Sequence, residues 1–393
     1  MDAMGIELGE QPGVWASLWD RRAGLREALE PLLGGRAPER VVIAGCGDCH
    51  AAAEGAEWLV ERRTRVPVRG LAAMELTRGR PHLLGPGTLL VALSVSGSTP
   101  RVIEAVRMAR TAGARVLGIT DNPASALARE AGAVFVLGTA PPEALGRTDY
   151  RDPEAARYAG YHRAVPQTKT FGAMQLALVL LCVALEELAP SGRGTPRAEL
   201  EAWIRRLPEL AAGVRPAAEQ AARTALEGAR PRARVAVAGT GPNAPVARFL
   251  AYKVMELALP AGHAEIEEYC HTLYLVTGPG DVAVFLAQDR GTLERAGEIA
   301  PVLEGEIGAA VQVLSTAPAP EYPAPWLVRL PAVPPEVSPL VLAFAGSCWV
   351  RALARGWGVN TDRFRAGVDE ERYVRGSTRM IRGSAVWGGP GGE

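Results

Sequence analysis

The sequence predicts an α/β protein with two three-layer αβα sandwiches, each built on a parallel sheet and related to the other by an internal repeat. Short apolar segments rich in β-branched residues recur at matched spacing in the second half of the chain. The matched pairs are VVIAG at 41–45 with VAVAG at 235–239, LLVAL at 89–93 with VAVFL at 282–286, and VLGIT at 116–120 with VQVLS at 311–315. Helical patterns lie between them, and apolar strands that alternate with helices indicate a parallel sheet covered on both faces.

Length and punctuation divide the chain into five predicted parts. A chain of 393 residues is too long for one ordinary core, so two domains are expected. A stretch rich in Pro, Gly and charge, followed by an amphipathic helix, predicts a linker, and the Arg-rich end predicts an arm or lid. The predicted parts are a helical segment at 1–34, a first sandwich at 35–190, a linker helix at 191–224, a second sandwich at 225–350 and a tail at 351–393.

The charge balance and the N-terminal stretch bear on partners and compartment. The 43 basic residues equal the 43 acidic ones, so no global field favours nucleic acid or an anionic membrane, and neither partner is expected. The stretch MDAMGIELGEQPGVW has no cationic start and no apolar core, so we expect neither export nor membrane spanning. A cytoplasmic protein is predicted, in which the five cysteines are reduced thiols.

The segment CGDCH, from Cys46 to His50, spells the C-x-x-C-H pattern of covalent haem attachment. Haem would need export and a distal ligand, zinc a second ligand pair, and a redox dithiol a thioredoxin-like context, none of which the sequence shows. A dinucleotide fingerprint would need a third glycine where His50 stands. Because Gly47 permits close approach and Asp48 can cap the following helix, we favour a binding loop, with no metal and no cofactor. We call residues 46–49 the cysteine loop.

The segment SVSGSTP places hydroxyl groups directly after a predicted strand and before a helix with Pro100 in its first turn. We call residues 94–99 the serine loop. A phosphate at a helix N-terminus gains from unpaired amides and the helix dipole, and Gly97 lets the backbone come close. Serines that only cap a helix or a turn are the plainer alternative. Because ligands of open parallel sheets bind beyond the carboxyl ends of the strands, we favour an anion site.

These segments resemble the SIS, or sugar isomerase, domain, whose S-x-S-G-x-T loop binds sugar phosphates. The tandem arrangement resembles the isomerase half of glucosamine-6-phosphate synthase and related aminosugar-phosphate isomerases and deaminases. The similarity runs from Gln11 and Pro12 through both loops and VPQTKTF at 165–171 to the second repeat. It implies two SIS-type sandwiches, a small-molecule phosphosugar as substrate and a homodimer.

The resemblance also implies a set of substrate-binding residues. Hydroxyls of the serine loop and the Val95 amide would cradle the phosphate, while the cysteine loop and the VPQ segment would line the sugar pocket. The implied residues are Cys46, Gly47, Asp48, Cys49, Ser94, Val95, Ser96, Thr99, Val165 and Gln167. The family's cysteine loop reads C-G-T-S, so Cys49 stands at a serine position, where a thiol is a poorer hydrogen-bond donor than a hydroxyl.

A catalytic carboxylate is predicted in the second repeat. Aldose–ketose isomerisation moves a proton between adjacent carbons, so one carboxylate can take it and return it. The segment NAPVARFLAYKVMELALP predicts a helix begun by Asn243 and stopped by Pro260, with Lys253 and Glu256 on one face. The resemblance makes Glu256 the proton-transferring glutamate. A solvated ion pair with Lys253 is the plainer alternative.

A ring-opening group is predicted just after this helix. Glu268-Tyr-Cys-His271 resembles the family's E-x-x-H segment, whose histidine comes from the partner subunit of a dimer. Histidine exchanges protons near neutral pH, so Glu268 and His271 join Glu256 as predicted catalytic residues. Since the spacing from Glu256 is longer than in the family, His263 is the second candidate for the histidine.

The chain departs from the family in three ways. The family's tail lysine has no counterpart, which excludes a Schiff base from the tail, and Arg365 or Arg375 is predicted to neutralise a phosphate or hold a lid. The second repeat's loop, LAQDRGT, lacks serines, which predicts one phosphate site per chain. No glutamine-hydrolysing domain is recognised, so we expect no ammonia from glutamine in cis.

The sequence therefore predicts a phosphosugar isomerase of aminosugar metabolism, acting on a sugar or aminosugar phosphate through an enediol or enolamine, with or without amination or deamination. One alternative is a deglycase of fructosamine phosphates, which would use the same base with a different leaving group. Another is a non-catalytic regulator that binds sugar phosphates. The absence of an evident DNA-binding appendage favours catalysis over regulation.

Overall fold

The structure is a computed structural model that describes residues 2–139, 166–318, 324–365 and 367–381. The strands are β1 (Arg40–Gly45), β2 (Val68–Ala72), β3 (Thr88–Leu93), β4 (Arg115–Thr120), β5 (Ala133–Val136), β6 (Val235–Gly239), β7 (Ala261–Ala264), β8 (Val282–Ala287), β9 (Ala310–Ser315) and β10 (Leu327–Arg329). The α-helices are α1 (Ala3–Asp20), α2 (Ala23–Leu33), α3 (Asp48–Arg63), α4 (Pro100–Thr111), α5 (Ala126–Glu130), α6 (Lys169–Leu188), α7 (Arg197–Gly228), α8 (Ala244–Glu256), α9 (Ile266–His271), α10 (Arg290–Val302), α11 (Ser338–Gly356) and α12 (Glu370–Met380).

The described residues divide into two compact units, each with its own sheet and core. The first unit consists of residues 21–139, 177–192 and 369–381. The second unit consists of residues 2–20, 166–176, 193–318, 324–365 and 367–368. The chain passes from one unit to the other inside helix α6, after Leu176.

The first unit is organised by a parallel sheet with the strand order β2-β1-β3-β4-β5, five strands among the described residues. Strand β1 lies between β2 and β3, with Ile43 opposite Gly70 on one side and Val91 on the other. The chain leaves β1 for one neighbour and later returns to the other. The carboxyl ends of β1 and β3 therefore border the crevice where open α/β sheets bind ligands.

Apolar packing and one buried ion pair hold this sheet against its helices. Val102 and Val106 of α4 join Leu90 of β3 in one buried cluster. The Arg63 guanidinium, 1% exposed, donates from Nη2 to the Glu186 carboxylate at 2.8 Å and so ties α3 to α6. Such a pair is costly to break because it leaves one uncompensated buried charge.

The second unit repeats the topology of the first. Its sheet has the order β7-β6-β8-β9-β10 when read from the edge that corresponds to β2, again five strands among the described residues. Val237 of β6 lies opposite His263 on one side and Val284 on the other. All six apolar segments quoted above lie in strands, so the predicted fold class and its internal repeat are confirmed.

Three details of the predicted helix ends are different in the structure. Gly47, not Asp48, is the N-cap of α3, and Asp48 is the first residue of the helix. Asn243 stands at the N-cap of α8, but its side chain makes no capping hydrogen bond and donates instead to Gln288 and Ser338. Helix α8 ends at Glu256, before Pro260, because Ala258 takes a positive φ of 58° that no continuing helix allows.

Helix α6 is long and apolar enough to cross a bilayer by length and composition. In the fold, 78% of its most apolar window is buried, and the core helix of a soluble protein passes the same test. The helix is therefore weak evidence for a membrane, and the expectation that none is involved stays a prediction.

The close packing around Gly70 predicts how a substitution there changes the free energy of unfolding. A Cβ at this position would overlap the backbone of α3 at Ala53, so Gly70→Ala must push β2 and α3 apart and is expected to cost about 1–3 kcal/mol. The matched control is Gly24→Ala in helix α2, whose added methyl group meets nothing within 4 Å. Urea unfolding followed by circular dichroism compares the two. Equal midpoints for both variants would contradict the close contact.

Candidate functional site

The serine loop lies at the crevice of the first sheet, between the end of β3 and the start of α4. The hydroxyl groups of Ser94 and Thr99 are 2.9 Å apart and share a hydrogen bond across the loop. The Ser98 hydroxyl and amide both donate to the Ser96 hydroxyl, at 3.1 and 3.3 Å. Ser94 is buried, and the other three are half-buried. The loop therefore gathers its hydroxyls at the mouth of a helix.

The backbone of the serine loop needs glycine at its centre. Gly97 has φ of 63°, and a Cβ there would overlap the Ser125 hydroxyl. The loop is also bonded to the next strand, since the Val95 carbonyl accepts from the Thr120 hydroxyl at 3.0 Å and from the Asp121 amide at 2.9 Å. These two bonds to the Val95 carbonyl hold the serine loop in place, and they do not involve the loop's own hydroxyl groups.

The helix-cap interpretation does not hold for Thr99, but Ser96 does satisfy a turn, because its hydroxyl accepts from the Ser98 amide. Thr99 is the N-cap of α4, but its side chain makes no capping bond and pairs with Ser94 instead. Pro100 at the first helical position has no amide to satisfy. The dipole and the first-turn amides of a 12-residue helix thus face a loop of hydroxyl groups, an arrangement that would suit a phosphate.

Sequence reasoning missed a charged cluster beside the loop. Glu104 of α4 is only 6% exposed and forms ion pairs with Arg78 and Arg101, each at 2.5 Å. Two guanidinium groups against one carboxylate leave a net positive charge next to the start of α4. The available signal was Arg101 itself, one residue beyond Pro100, with an acidic residue three positions later on the same face.

The cysteine loop lies at the same edge of the sheet, after β1. A Cβ on Gly45 would lie 2.6 Å from the Cys49 Cβ, so glycine is needed for helix α3 to begin this close to the strand. Burial raises the pKa of the Cys46 thiol, while a hydrogen bond from the Ala73 amide and the charge of Arg101 act in the opposite direction. A raised pKa is the reverse of what a reactive redox thiol needs.

The surroundings of the cysteine loop bear on the haem, metal and redox interpretations of its sequence. None of the five cysteines forms a disulfide in the structure. In the part of the chain that the structure describes, no group of three or more His, Cys, Asp or Glu side chains is placed to hold a metal ion. His50 has a different partner, because its Nε2 lies 3.2 Å from the Glu54 carboxylate one helical turn later.

The sugar-lining residues predicted in the VPQ segment belong to the second unit. Val165 lies outside the described residues. Gln167 is half-buried, and its Oε1 accepts from the Thr170 hydroxyl at 3.2 Å. Phe171 at the start of the same helix stacks on Phe249 of α8 with ring centroids 3.7 Å apart. This contact packs the start of α6 against the helix that carries Glu256.

Glu256 is the last residue of α8, and its ion pair is not solvated. The Lys253 ammonium is 0% exposed and lies 2.7 Å from the Glu256 carboxylate, whose side chain is 24% exposed. Lys253 also lies 5.3 Å from the centroid of the Phe249 ring. The plainer alternative of a surface ion pair is therefore wrong. A fixed, partly accessible carboxylate of this kind can accept a proton.

The predicted ring-opening residues lie on the surface of the second unit. Glu268 is exposed, and His271, 68% exposed, has Nε2 3.7 Å from the Glu267 carboxylate. Arg295 also donates to Glu267, at 2.8 Å, and this hydrogen bond is the largest of the effects that lower the Glu267 pKa. The residues that follow expose large apolar side chains, namely Tyr274, Leu275 and Val276.

The second candidate histidine and the tail arginines have other surroundings. His263 of β7 is half-buried and meets the Tyr252 ring edge-on at 6.2 Å between centroids. The Arg365 amide donates to the Glu256 carbonyl at 2.9 Å, which places the tail backbone against the end of α8. Arg375 is exposed on α12. Sequence reasoning did not anticipate the backbone contact, which no pattern encodes.

The corresponding crevice of the second sheet is filled by its own side chains. Asn243, after β6, donates to Gln288, after β8, at 3.1 Å and to Ser338 at 3.1 Å. Ser338 in turn shares a hydrogen bond of 2.8 Å with Thr316, after β9. All four residues are at most 4% exposed. Polar side chains of the chain itself thus occupy the place that the two loops border in the first sheet.

Part of the chain matches a protein-family model, and most of it is similar in sequence to known proteins. Residues 36–150 match the SIS domain family model. The chain is 28% identical over 337 residues to a glutamine–fructose-6-phosphate aminotransferase [isomerizing] from Corynebacterium glutamicum, covering 84% of this chain and 50% of that protein, so it spans about half the length of this relative.

Solved structures extend the likeness in fold to nearly the whole chain. The C-terminal domain of a glucosamine-fructose-6-phosphate aminotransferase from Francisella tularensis has a TM-score of 0.74 at 17% identity, with 92% of this chain and 98% of that one covered. A tagatose-6-phosphate ketose/aldose isomerase from Escherichia coli has a TM-score of 0.69 at 20% identity, with 92% and 94% covered. Residues 36–150 of the chain therefore match the SIS domain model, and most of the chain is similar in sequence to half the length of a glutamine–fructose-6-phosphate aminotransferase [isomerizing].

Proposed function

We propose that the protein is a phosphosugar isomerase that converts a sugar or aminosugar phosphate through an enediol or enolamine intermediate. The observation that carries the proposal is the serine loop, whose hydroxyl groups meet the N-terminus of α4 at the crevice of a SIS domain. The names of the relatives support a phosphosugar as the substrate class, since they refer to fructose 6-phosphate and tagatose 6-phosphate.

In this proposal the first unit supplies the phosphate-binding groups. Ser94, Ser96 and Thr99 exchange their mutual hydrogen bonds for bonds to the phosphate, and the Val95 amide adds another donor. Charge-assisted hydrogen bonds of this kind are stronger than the neutral bonds they replace. The cysteine loop, residues 46–49, contacts the sugar.

The proton transfer is assigned to Glu256. Its carboxylate takes the proton from the carbon beside the carbonyl group and returns it to the former carbonyl carbon, while the carbonyl oxygen gains a proton and the neighbouring hydroxyl oxygen loses one, so that the enediol forms and collapses without net proton loss. Lys253, fully buried and 2.7 Å away, holds the carboxylate in one orientation. No lysine is left for a Schiff base from the tail, since the chain has only Lys169 and Lys253.

Ring opening is assigned to His271 with Glu268, and His263 is the second candidate. We propose that His271 acts in a homodimer, as a residue that each subunit contributes to the other. Its exposure on the unit that carries it and the apolar surface that follows at 274–276 support this assignment. A cytoplasmic location and the absence of nucleic-acid and membrane partners remain predictions.

The reaction itself is tested by incubating the protein with fructose 6-phosphate and glucosamine 6-phosphate, with and without ammonia, and identifying the products by nuclear magnetic resonance. Isomerisation without ammonia supports the plain isomerase. Ammonia-dependent amination or release of ammonia supports the aminosugar version, and release of an amine other than ammonia from a fructosamine phosphate supports the deglycase. Binding without turnover of any of these compounds would support the alternative of a non-catalytic regulator.

The serine loop gives the first prediction from this proposal. Thr99→Val removes one hydroxyl that we assign to the phosphate, and the dissociation constant for the sugar phosphate is expected to rise about 10- to 100-fold, since a hydrogen bond to a charged group contributes about 1.5–3 kcal/mol. Thr111→Val, at the exposed far end of the same helix, is the matched control. Calorimetric titration measures both, and equal affinities would remove Thr99 from the site.

Glu256 gives a second prediction. Glu256→Gln keeps the shape of the side chain but removes the base, so turnover is expected to fall about 10²–10⁴-fold, while the sugar phosphate still binds within a few-fold of wild type. Exchange of the substrate's carbon-bound hydrogen with deuterated water measures the proton transfer directly. Exposed Glu209→Gln is the control. Undiminished exchange in Glu256→Gln would exclude this glutamate as the base.

The dimer gives a third prediction. Leu275, 69% exposed beside His271, is expected to become buried between subunits. Sedimentation velocity should find a dimer for the wild type and a shift toward monomer for Leu275→Asp, accompanied by loss of activity. If the Leu275→Asp monomer stays active, each subunit supplies its own ring-opening residue, and the assignment of His271 to the neighbouring subunit's site is wrong.

A further inference from the structure

We propose that Thr170 is a positioning residue, which holds the carbonyl oxygen of the Gln167 side chain and leaves the amide nitrogen as a donor to an oxygen atom of the bound sugar phosphate. The proposal rests on the function proposed above, in which Gln167 lines the sugar pocket. It adds the direction of the hydrogen bond and the residue that sets it.

The backbone around Gln167 is anchored by a carboxylate far away in sequence. Glu7 of α1 is 3% exposed and accepts from the amides of Thr168 and Lys169, at 3.3 and 3.1 Å. These amides lie just before and at the first residue of α6, where no intrahelical acceptor exists. The Lys169 ammonium, 2% exposed, lies 3.4 Å from the same carboxylate. The two residues that follow Gln167 are therefore held by their backbone amides and by the Lys169 side chain.

The side chain of Gln167 is fixed by one further bond. Thr170 is 2% exposed, and its hydroxyl donates to the Gln167 Oε1 at 3.2 Å. A side-chain amide has an oxygen that only accepts and a nitrogen that only donates. Once Oε1 is held by Thr170, the nitrogen points the other way, and Gln167, half-buried, offers N–H groups to a ligand.

This orientation limits what Gln167 can bind. Its partner must be a hydrogen-bond acceptor, which means a carbonyl, hydroxyl or phosphate oxygen of the substrate. A carbonyl oxygen accepts and never donates, so an N–H donor suits the open-chain form of a phosphosugar at least as well as the ring. The ammonium group of an aminosugar only donates and is not a partner for Gln167.

The first experiment removes the Thr170 hydroxyl while keeping the side-chain shape. In Thr170→Val, the dissociation constant for fructose 6-phosphate is expected to rise about 3- to 10-fold, because Gln167 can then turn its amide away. Thr168→Val is the matched control: Thr168 is equally buried, lies on the same helix start, and its hydroxyl has no hydrogen-bond partner among the described residues. The control is expected to bind like the wild type.

The second experiment separates positioning from structural support. Gln167→Glu keeps an oxygen for Thr170 but has no N–H, so it is expected to weaken binding as much as Gln167→Ala. Adding Thr170→Val to Gln167→Ala should change the affinity by less than twofold. If Thr170→Val weakens binding equally without the glutamine, or if Gln167→Glu binds like the wild type, the proposal is overturned.

The outcomes also separate this proposal from the function on which it rests. Wild-type protein that binds neither fructose 6-phosphate nor glucosamine 6-phosphate would end the proposed function, and the role of Thr170 with it. Wild-type binding that Thr99→Val weakens but Gln167→Ala and Thr170→Val do not would keep the function and end the positioning role alone.

Discussion

The placement of strand β1 between β2 and β3 is the constraint on which the rest of the first unit depends. Because parallel strands need crossover helices, the chain must leave β1 on one side and come back on the other, which opens a crevice between two loops at the sheet edge. The cysteine loop and the serine loop come together only for this reason. Gly45, the last residue of β1, lets α3 begin close to the strand, and Gly97 lets the serine loop adopt a positive φ against Ser125.

The two repeats use the same crevice in opposite ways. In the first, hydroxyl groups line it beside a helix N-terminus. In the second, Asn243, Gln288 and Ser338 bond to one another and fill it. The side-chain NH2 group of Asn243 is engaged by both partners, while Asn243 Oδ1 has no hydrogen-bond partner among the described residues. In the second unit, the residues that we propose for the chemistry, Glu256 and His271, lie at the ends of helices.

Both lysines of the chain are used in this unit, and both are buried. Lys253 lies against Glu256, and Lys169 lies against Glu7 and Glu10. A buried ammonium is tolerated only beside a carboxylate, because removing a charge from water is costly. Each lysine therefore holds its carboxylate partner in one place. One of them orients the carboxylate that we propose as the base, and the other fixes the start of the helix that follows Gln167.

The sequence by itself determined the fold class, the repeat and the serine loop, because apolar strands, helix periodicity and helix-start signals are local patterns, and the match of β1, β3, β4, β6, β8 and β9 to the quoted segments bears this out. Only the tertiary structure decided which side chains meet across long separations. Glu7 with the α6 amides, Arg78 and Arg101 on Glu104, and the tail amide on the end of α8 are examples. The cap of α8 also differs from the local rule, since the Asn243 side-chain amide donates to Gln288, which follows β8, and to Ser338, at the start of α11. Contacts of this kind depend on strand order and packing, and neither is written in the spacing of neighbouring residues.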